Sequence, residues 1–472
     1  MKPRSYQTRA LDELRENGWT GLVRLDTGYG KSLTAAWAAQ ESGAESVLVV
    51  APKRTQLGWT KTFGMIGVEL KVASKSNKKE KANLEGLFTG APGYYWMTWE
   101  LARSMNVELR FDGRKRANVR KAVSKPFNGR TFDMLITDEV QRMSNHRSQN
   151  REVISRVKAK AKIALSATPA GNQPVRIWAT LNLLWPDKYP AFGRFSEKYF
   201  NWEPNPFADY TIPGTDKVVL GKTWGSERRP GYLKTTAPCW IEATEEEQSE
   251  VAQEEPIRHV IPVRMGVEQK RIYMEWYEDA LAWLDDHPVA AALPITKEIR
   301  LRQAALGTPT VDDTGSVVYA PDSKSSKIEA LLDLLSDMPE DEPVIVWTHS
   351  QRFMVPLLAQ LRKAGYSAIE VSGKSKDSYT DLINGTAQIL CAVPEAMAEG
   401  TDGLQSVCAT EVWLSLSTSV IINKQARGRI ARQGQRRLVN SFLIQSVGTI
   451  DDRVVGRLDE RFNTLKESGF ID

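Results

Sequence analysis

Apolar and polar positions repeat along the chain in two separate stretches, each made of short apolar runs divided by helical patterns. In the first, residues 21–25 (GLVRL), 46–52 (SVLVVAP), 94–98 (YYWMT), 132–138 (FDMLITD) and 162–168 (KIALSAT) read as buried strands. They are rich in β-branched and large apolar residues, and turn or polar residues bound them. In the second, residues 343–350 (PVIVWTHS), 366–373 (YSAIEVSG), 387–393 (AQILCAV), 410–416 (TEVWLSL) and 438–445 (LVNSFLIQ) repeat that rhythm. Helical spacing, as in 326–338 (SKIEALLDLLSDM), lies between them. Strands alternating with helices predict an α/β chain with parallel sheets, present twice.

The pattern predicts one sheet domain over 1–189, an accessory, partly helical insertion and linker over 190–320, and a second sheet domain over 321–472. The insertion is irregular at 202–217 (WEPNPFADYTIPGTDK) and carries a helical pattern at 268–284 (EQKRIYMEWYEDALAWL). Its acidic run, 242–255, reads as a solvated loop or helix. No repeat of solenoid length interrupts this organisation.

Composition narrows the class. With 472 residues, 41% apolar and 26% charged, the chain has room for two or three cores of a soluble type. Cys239, Cys391 and Cys408 are scattered, which argues against a disulfide framework or zinc site and fits a reducing cytoplasm. No apolar run reaches the ~18 residues of a membrane span. The net charge of +5 permits a polyanionic partner.

Residues 24–36 (RLDTGYGKSLTAA) carry the first chemistry. A full phosphate-loop motif would have glycine where Leu25 stands, yet Thr27, Gly28, Gly30, Lys31 and Ser32 follow a strand and open a helix. Backbone N–H groups and a helix N-terminus there suit a phosphate chain, with Lys31 on the β/γ-phosphates and the Ser32 hydroxyl on Mg²⁺. About a hundred residues on, Asp138 ends an apolar strand and can hold Mg²⁺, while Glu139 can polarise an attacking water. Either element alone also fits a turn or a helix cap; together they point to ATP or GTP hydrolysis. In 425–435 (QARGRIARQGQ), the spacing of Gln425, Arg429 and Arg432 predicts one helical face. It fits arginine fingers reaching across a cleft to the γ-phosphate, or a basic surface helix.

The order of these motifs resembles the superfamily 2 helicases, most closely the Swi/Snf family of double-stranded DNA translocases. The resemblance covers nearly the whole chain and implies two RecA-like motor domains using ATP and Mg²⁺. It likens 3–14 (PRSYQTRALDEL) to the adenine-side segment, with Gln7 in the glutamine position, and TGYGKS to motif I in the shortened form this group uses. VLVVAPKRTQLGWTKTF resembles motif Ia and MTWELAR the segment Ic. DEVQRMSN stands at the DEAH-box position, with Val140 and Gln141 where Ala and His are usual. ALSATPAGN and the Leu-rich stretch behind it resemble motif III, and the resemblance implies coupling roles for Gln141, Ser166 and Thr168. AEGTDGLQ stands for motif V and QARGRIARQGQ for motif VI, whereas SLSTSVIINKQ replaces the family's Trp-Asn-Pro stretch.

The same resemblance implies phosphate contacts from Lys53, Arg54, Thr55 and Thr98, and from the segments around His349, Ser372 and Thr401 in the second domain. Residues 103–130 are strongly basic; Arg114, Lys115 and Arg116 are their densest cluster and read as phosphate contacts or as a solubilising loop. Most tryptophans read as core, with Trp99 alone a candidate near DNA. The implied partner is double-stranded DNA, linear, forked or branched, bound by a monomer without base code. The expectation is a stripped-down motor of repair, recombination or replication, in the cytoplasm, on the nucleoid or in a nucleus. A strand-separating DNA or RNA helicase is the alternative among enzymes, and a nucleotide-dependent DNA-binding scaffold the alternative of another class.

Overall fold

The computed structural model describes residues 2–26, 28–111, 118–205, 210–211, 218–219, 221–244, 246–247, 254–284, 287–290, 293–372, 378–397 and 402–471. By its internal contacts the chain divides into two compact units, Met1–Val251 with Arg461–Asp472, and Ala252–Glu460. The stretch 190–320, expected as one insertion, is thus shared, its first part folding with the first unit and the rest with the second.

The first unit is built on strands β1 (Gly21–Val23), β2 (Ser46–Ala51), β3 (Leu70–Val72), β4 (Gly93–Thr98), β5 (Thr131–Asp138), β6 (Lys158–Leu165) and β7 (Trp240–Ile241). They lie in the order β7-β1-β6-β5-β2-β4-β3, and every pairing is parallel. The central runs are apolar on both faces because helices cover both, as a parallel sheet requires. Helices α1 (Ser5–Glu16) and α2 (Lys31–Glu41) supply part of that cover. Alanines 35, 36, 38 and 39 of α2 are all fully buried. The core joins them to Val47, Val49, Trp59, Phe63, Trp96, Met134 and Ile136.

The second unit repeats the plan with β8 (Ile257–Val263), β9 (Val344–Trp347), β10 (Ala368–Val371), β11 (Ile389–Ala392), β12 (Thr410–Trp413) and β13 (Asn440–Ser446). Their order is β8-β13-β12-β9-β11-β10, again parallel throughout. Every strand read from the apolar pattern is present. The pattern missed β3, β7 and β8: two are three residues or fewer, and β8 is an edge strand holding Pro262, with Val260 60% exposed.

Two local expectations are corrected. The helical pattern at 268–284 holds only over Val267–Glu278; Ala280 takes a positive φ of 53°, and Leu281–Leu284 pairs antiparallel with His287–Ala290. The acidic run is not simply solvated, because Glu242 pairs with the buried Arg24 at 3.0 Å and Glu247 with Arg9 at 2.6 Å. These ties, with β7, explain why the chain after residue 190 returns to the first sheet.

Glu227 closes this returning segment. Its carboxylate is buried and accepts the N–H groups of Gly231 at 3.0 Å and Leu233 at 2.7 Å. Burial raises it from 4.5 to about 7, although those N–H groups pull the other way. Between pH ~4.5 and ~7 the folded state therefore keeps a proton that the unfolded chain has released, so stability falls as pH rises through that window. The expected loss is at most about 3 kcal/mol, flat above the window, and Glu227→Gln removes the slope. Urea denaturation of both proteins across pH 4–8 checks this.

Candidate nucleotide site and nucleic-acid surface

Three strand ends build the site of the first unit. The pairing aligns Val23 with Leu165 and Leu165 with Asp138, so the chain leaves β1, β6 and β5 at one level. That carboxyl edge is where parallel sheets hold ligands.

After β1 the chain turns through Gly28 (φ 92°) and Gly30 (φ 73°) into α2. Gly30 cannot be replaced cheaply: it needs the positive φ, and a Cβ there would lie 2.7 Å from Gln7 Nε2. Lys31 begins α2, and its Nζ donates to the carbonyls of Leu25 at 2.7 Å and Asp26 at 3.0 Å, holding the loop against the helix N-terminus. Ser32 follows in the first turn, half-buried. Thr27 lies outside the described residues. Gln7 is buried on α1, its Oε1 accepting Arg4 N at 3.0 Å and its Nε2 facing Thr34 Oγ1 at 3.4 Å. Tyr6 beside it donates to Tyr29 O at 2.9 Å, which ties α1 to the loop.

Asp138 ends β5 and is 6% exposed as a residue. Oδ2 accepts Trp59 Nε1 at 2.9 Å and Oδ1 accepts the Glu139 N–H at 3.0 Å. Burial first, then the charge of Glu139, raises the Asp138 carboxyl to about 7; Trp59, Lys31 and the Glu139 N–H oppose the rise. Glu139 sits at φ 50°, a strained conformation for a non-glycine residue, where the strand turns into Val140–Met143. Gln141 Nε2 donates to Glu139 Oε2, and Gln141 Oε1 accepts Ser166 Oγ at 2.7 Å. Ser166 Oγ in turn accepts Thr168 N at 2.9 Å. One chain of hydrogen bonds thus joins Glu139, Gln141, Ser166 and Thr168.

The donor set fits Mg²⁺. A buried carboxylate raised by desolvation gains from a nearby cation, and one carboxylate with one hydroxyl suits an ion that keeps water and phosphate oxygens as its other ligands. Among the described residues no cluster of three or more His, Cys, Asp or Glu could hold a metal by itself.

In the second unit, helix α3 (Val420–Arg427) starts at Ser419, whose Oγ accepts Ile422 N at 3.3 Å. Gln425 lies on α3 and is buried. The helix ends at Arg427, however, so Arg429 and Arg432 do not share a helical face with Gln425. Gly428 stops it, and turn bonds Arg429 N–Ala426 O (3.0 Å) and Ala431 N–Arg427 O (3.1 Å) carry the arginines onward. Arg429 is 7% exposed, and Arg432 Nη1 lies 3.5 Å from Asp402 Oδ1.

Of the expected nucleic-acid residues, Lys53 and Arg54 are exposed on the turn Lys53–Thr55 and border an open groove also lined by Leu57, Asn77 and Lys79. Thr55 Oγ1 donates to Pro52 O at 2.8 Å, and Thr98 caps the helix Trp99–Met105 by accepting Leu101 N at 3.0 Å. The basic stretch forms an antiparallel hairpin, Val107–Phe111 with Asn118–Ala122. Arg114, Lys115, Arg116 and Thr401 lie outside the described residues. Arg130 serves packing, donating to Leu87 O at 2.9 Å and Ala91 O at 2.7 Å with its guanidinium 4.8 Å from the Phe132 ring. His349 hydrogen-bonds Ser415 Oγ through Nδ1 at 2.6 Å; burial, then Arg302 and Lys327, hold its pKa well below the ordinary value. Ser372 Oγ accepts Gln351 Nε2 at 2.9 Å. Trp99 is a correction: it is 1% exposed and donates to Asp138 O at 3.0 Å, so it is core. The sequence reading also missed Trp59, since nothing in its helical spacing says that its ring nitrogen reaches a carboxylate from another element.

Residues 1–171 match the family model described as type III restriction enzyme, res subunit. Human SWI/SNF-related matrix-associated actin-dependent regulator of chromatin subfamily A member 1 is 23% identical over 97% of this chain and 42% of its own length. Protein CHROMATIN REMODELING 24 of Arabidopsis thaliana is 22% identical over 78% of this chain and 36% of its own. The uncharacterized ATP-dependent helicase YqhH of Bacillus subtilis is 24% identical over 71% and 59%. The chain therefore spans roughly a third to three fifths of the length of these relatives. Among solved structures, the Sulfolobus solfataricus SWI2/SNF2 ATPase core in complex with dsDNA aligns over 100% of this chain and 94% of that chain, with 16% identity and a TM-score of 0.40. Together with the motif order, these matches liken the chain to superfamily 2 helicase-type motors of Swi/Snf-like kind. Among the described residues no helix is long and apolar enough to cross a membrane.

Trp59→Phe keeps most of the ring and removes the N–H on Asp138. It is expected to destabilise the protein by about 1–3 kcal/mol at pH 8, where the buried carboxylate loses its donor. At pH 5, where that carboxyl is protonated, the cost shrinks. Denaturant midpoints at both pH values check it.

Proposed function

We propose that the chain hydrolyses ATP with Mg²⁺ and uses the cycle to move along double-stranded DNA without reading its sequence, in repair, recombination or replication. The observation that carries the reading is the meeting, at one sheet edge, of the Lys31 loop, the Asp138–Glu139 strand end and the Gln141–Ser166–Thr168 chain. Gln7 would hold the adenine side, and the loop from Thr27 to Ser32 the phosphates. Mg²⁺, when bound to Ser32 and Asp138, would neutralise charge on the β- and γ-phosphates. Glu139 would take a proton from the attacking water, with Gln141 fixing its carboxylate and passing the state of the site to Ser166 and Thr168. Gln425, Arg429 and Arg432 would meet charge developing on the γ-phosphate, Lys53, Arg54, Thr55, Thr98 and Thr401 the DNA backbone. The relatives named for ATP-dependent helicase activity and the basic stretch support this reading.

Lys31→Ala is expected to abolish ATP binding, whereas Glu139→Gln binds ATP and loses turnover. Arg432→Ala slows DNA-stimulated hydrolysis by about 10²–10⁵ with little change in DNA affinity. Nucleotide titration and phosphate release decide this, and wild-type turnover in Glu139→Gln would sink the hydrolytic assignment. Stimulation by duplex above single strands or RNA is expected; the reverse favours a strand-separating helicase, and no turnover at all a scaffold.

Replacing Arg114, Lys115 and Arg116 with Ala is expected to flatten the log–log salt slope of duplex binding by up to roughly 3. All duplex sequences should weaken alike, while ATPase without DNA survives. Binding titrations over a salt series test it, and an unchanged slope leaves the stretch as a solubilising loop.

A further inference from the structure

The sheet face beneath α3 carries a buried charge. Glu411, in β12, is completely buried; Oε2 accepts Trp347 Nε1 at 2.9 Å and Oε1 accepts Ser441 Oγ at 2.7 Å. Both donors are neutral. The nearby cation is Arg427, whose Nε lies 3.9 Å from Glu411 Oε1. Its guanidinium sits 5.3 Å from the centre of the Trp413 ring, and Trp413 stacks on Trp347 at 5.3 Å and 27°. The Glu411 carboxylate and the Trp413 ring therefore flank this guanidinium, and Trp347 touches both of them.

Arg427 is also where α3 stops. Its carbonyl accepts Ile430 N at 3.2 Å and Ala431 N at 3.1 Å, and Gly428 follows at once. The turn bearing Arg429 and Arg432 thus hangs from the main chain of Arg427.

We propose that Arg427 is a positioning residue, set against the Glu411 charge and the Trp413 ring, which aims the turn carrying Arg429 and Arg432. The inference rests on the reading of those two arginines as γ-phosphate groups. Partial burial lowers the Arg427 pKa and the charge of Glu411 opposes this, as expected of a half-buried cation beside a carboxylate. A displacement of about 1 Å at such a group is enough to cost on the order of 10²-fold in rate.

Arg427→Met is expected to lower duplex-stimulated kcat by roughly 10–100-fold, with KM for ATP and half-saturating duplex within roughly threefold of wild type. Arg427→Lys, which keeps the charge, should recover most of that loss. Glu411→Gln keeps the two neutral hydrogen-bond partners within reach and loses the charge, so it should lower kcat by roughly 3–10-fold with a cooperative thermal transition retained. Wild-type kcat in Arg427→Met or in Glu411→Gln overturns the proposal. So does a loss in Glu411→Gln that appears only as a lower melting temperature or a raised KM. Arg432→Ala measured alongside separates the layers: if it is slow while Arg427→Met is normal, only the positioning role fails. If Arg432→Ala turns over like wild type, the arginine-finger reading fails and takes this inference with it.

Discussion

Parallel pairing decides where each strand of the first sheet stops, and the stops of β1, β6 and β5 coincide at Val23, Leu165 and Asp138. The candidate groups Lys31, Asp138, Glu139, Ser166 and Thr168 hang from this coincidence. The Lys31 loop, the Ser166–Thr168 segment and Glu139 leave the sheet at one level, and hydrogen bonds through Gln141 join the last two. A slip of one residue in any pairing would exchange the faces of that strand and separate the groups. The pairing of β2 with β5 and the apolar packing of α2 on β5 and β6 fix the register.

Both units bury an acid and answer it with a tryptophan. Trp59 donates to Asp138 and Trp347 to Glu411, each at 2.9 Å. A ring nitrogen satisfies one lone pair without bringing a charge, so each carboxylate keeps a field that a cation can use. In the second unit that cation is Arg427 of the chain itself. In the first, Lys31 lowers the Asp138 pKa but does not overcome burial, and the carboxyl stays near 7. A strand-end acid of that kind suits a divalent ion arriving with its phosphates.

The relatives that this chain matches are longer proteins, and the chain corresponds to about two fifths of the human one. What the match covers is the two-sheet plan with its motifs. The segments that differ most from the resemblance lie in the second unit, where 415–425 replaces a Trp-Asn-Pro stretch. There the structure puts Ser417 N on Asn423 Oδ1 at 2.9 Å and Ser417 Oγ on Glu395 Oε1 at 2.7 Å. Local side-chain bonds of Ser and Asn do the shaping at the start of α3.

The two-sheet architecture was legible in the chain because a parallel strand covered on both faces must be an almost continuous apolar run. The glycine turn into α2 and the strand end at Asp138 were legible too, since each depends on neighbours in sequence. Strands β3 and β7 were not, being too short to show a period, and β8 hides behind Pro262 and an exposed Val260. The helical face expected for Gln425, Arg429 and Arg432 failed because Gly428 ends α3, a decision taken by local turn bonds rather than by spacing. The sequence alone determined where the candidate nucleotide motifs lie. Only the tertiary structure decided what holds them, because Trp59 on Asp138, Gln141 on Ser166 and Arg427 on Glu411 are contacts between elements far apart in the chain, and these follow from register and packing.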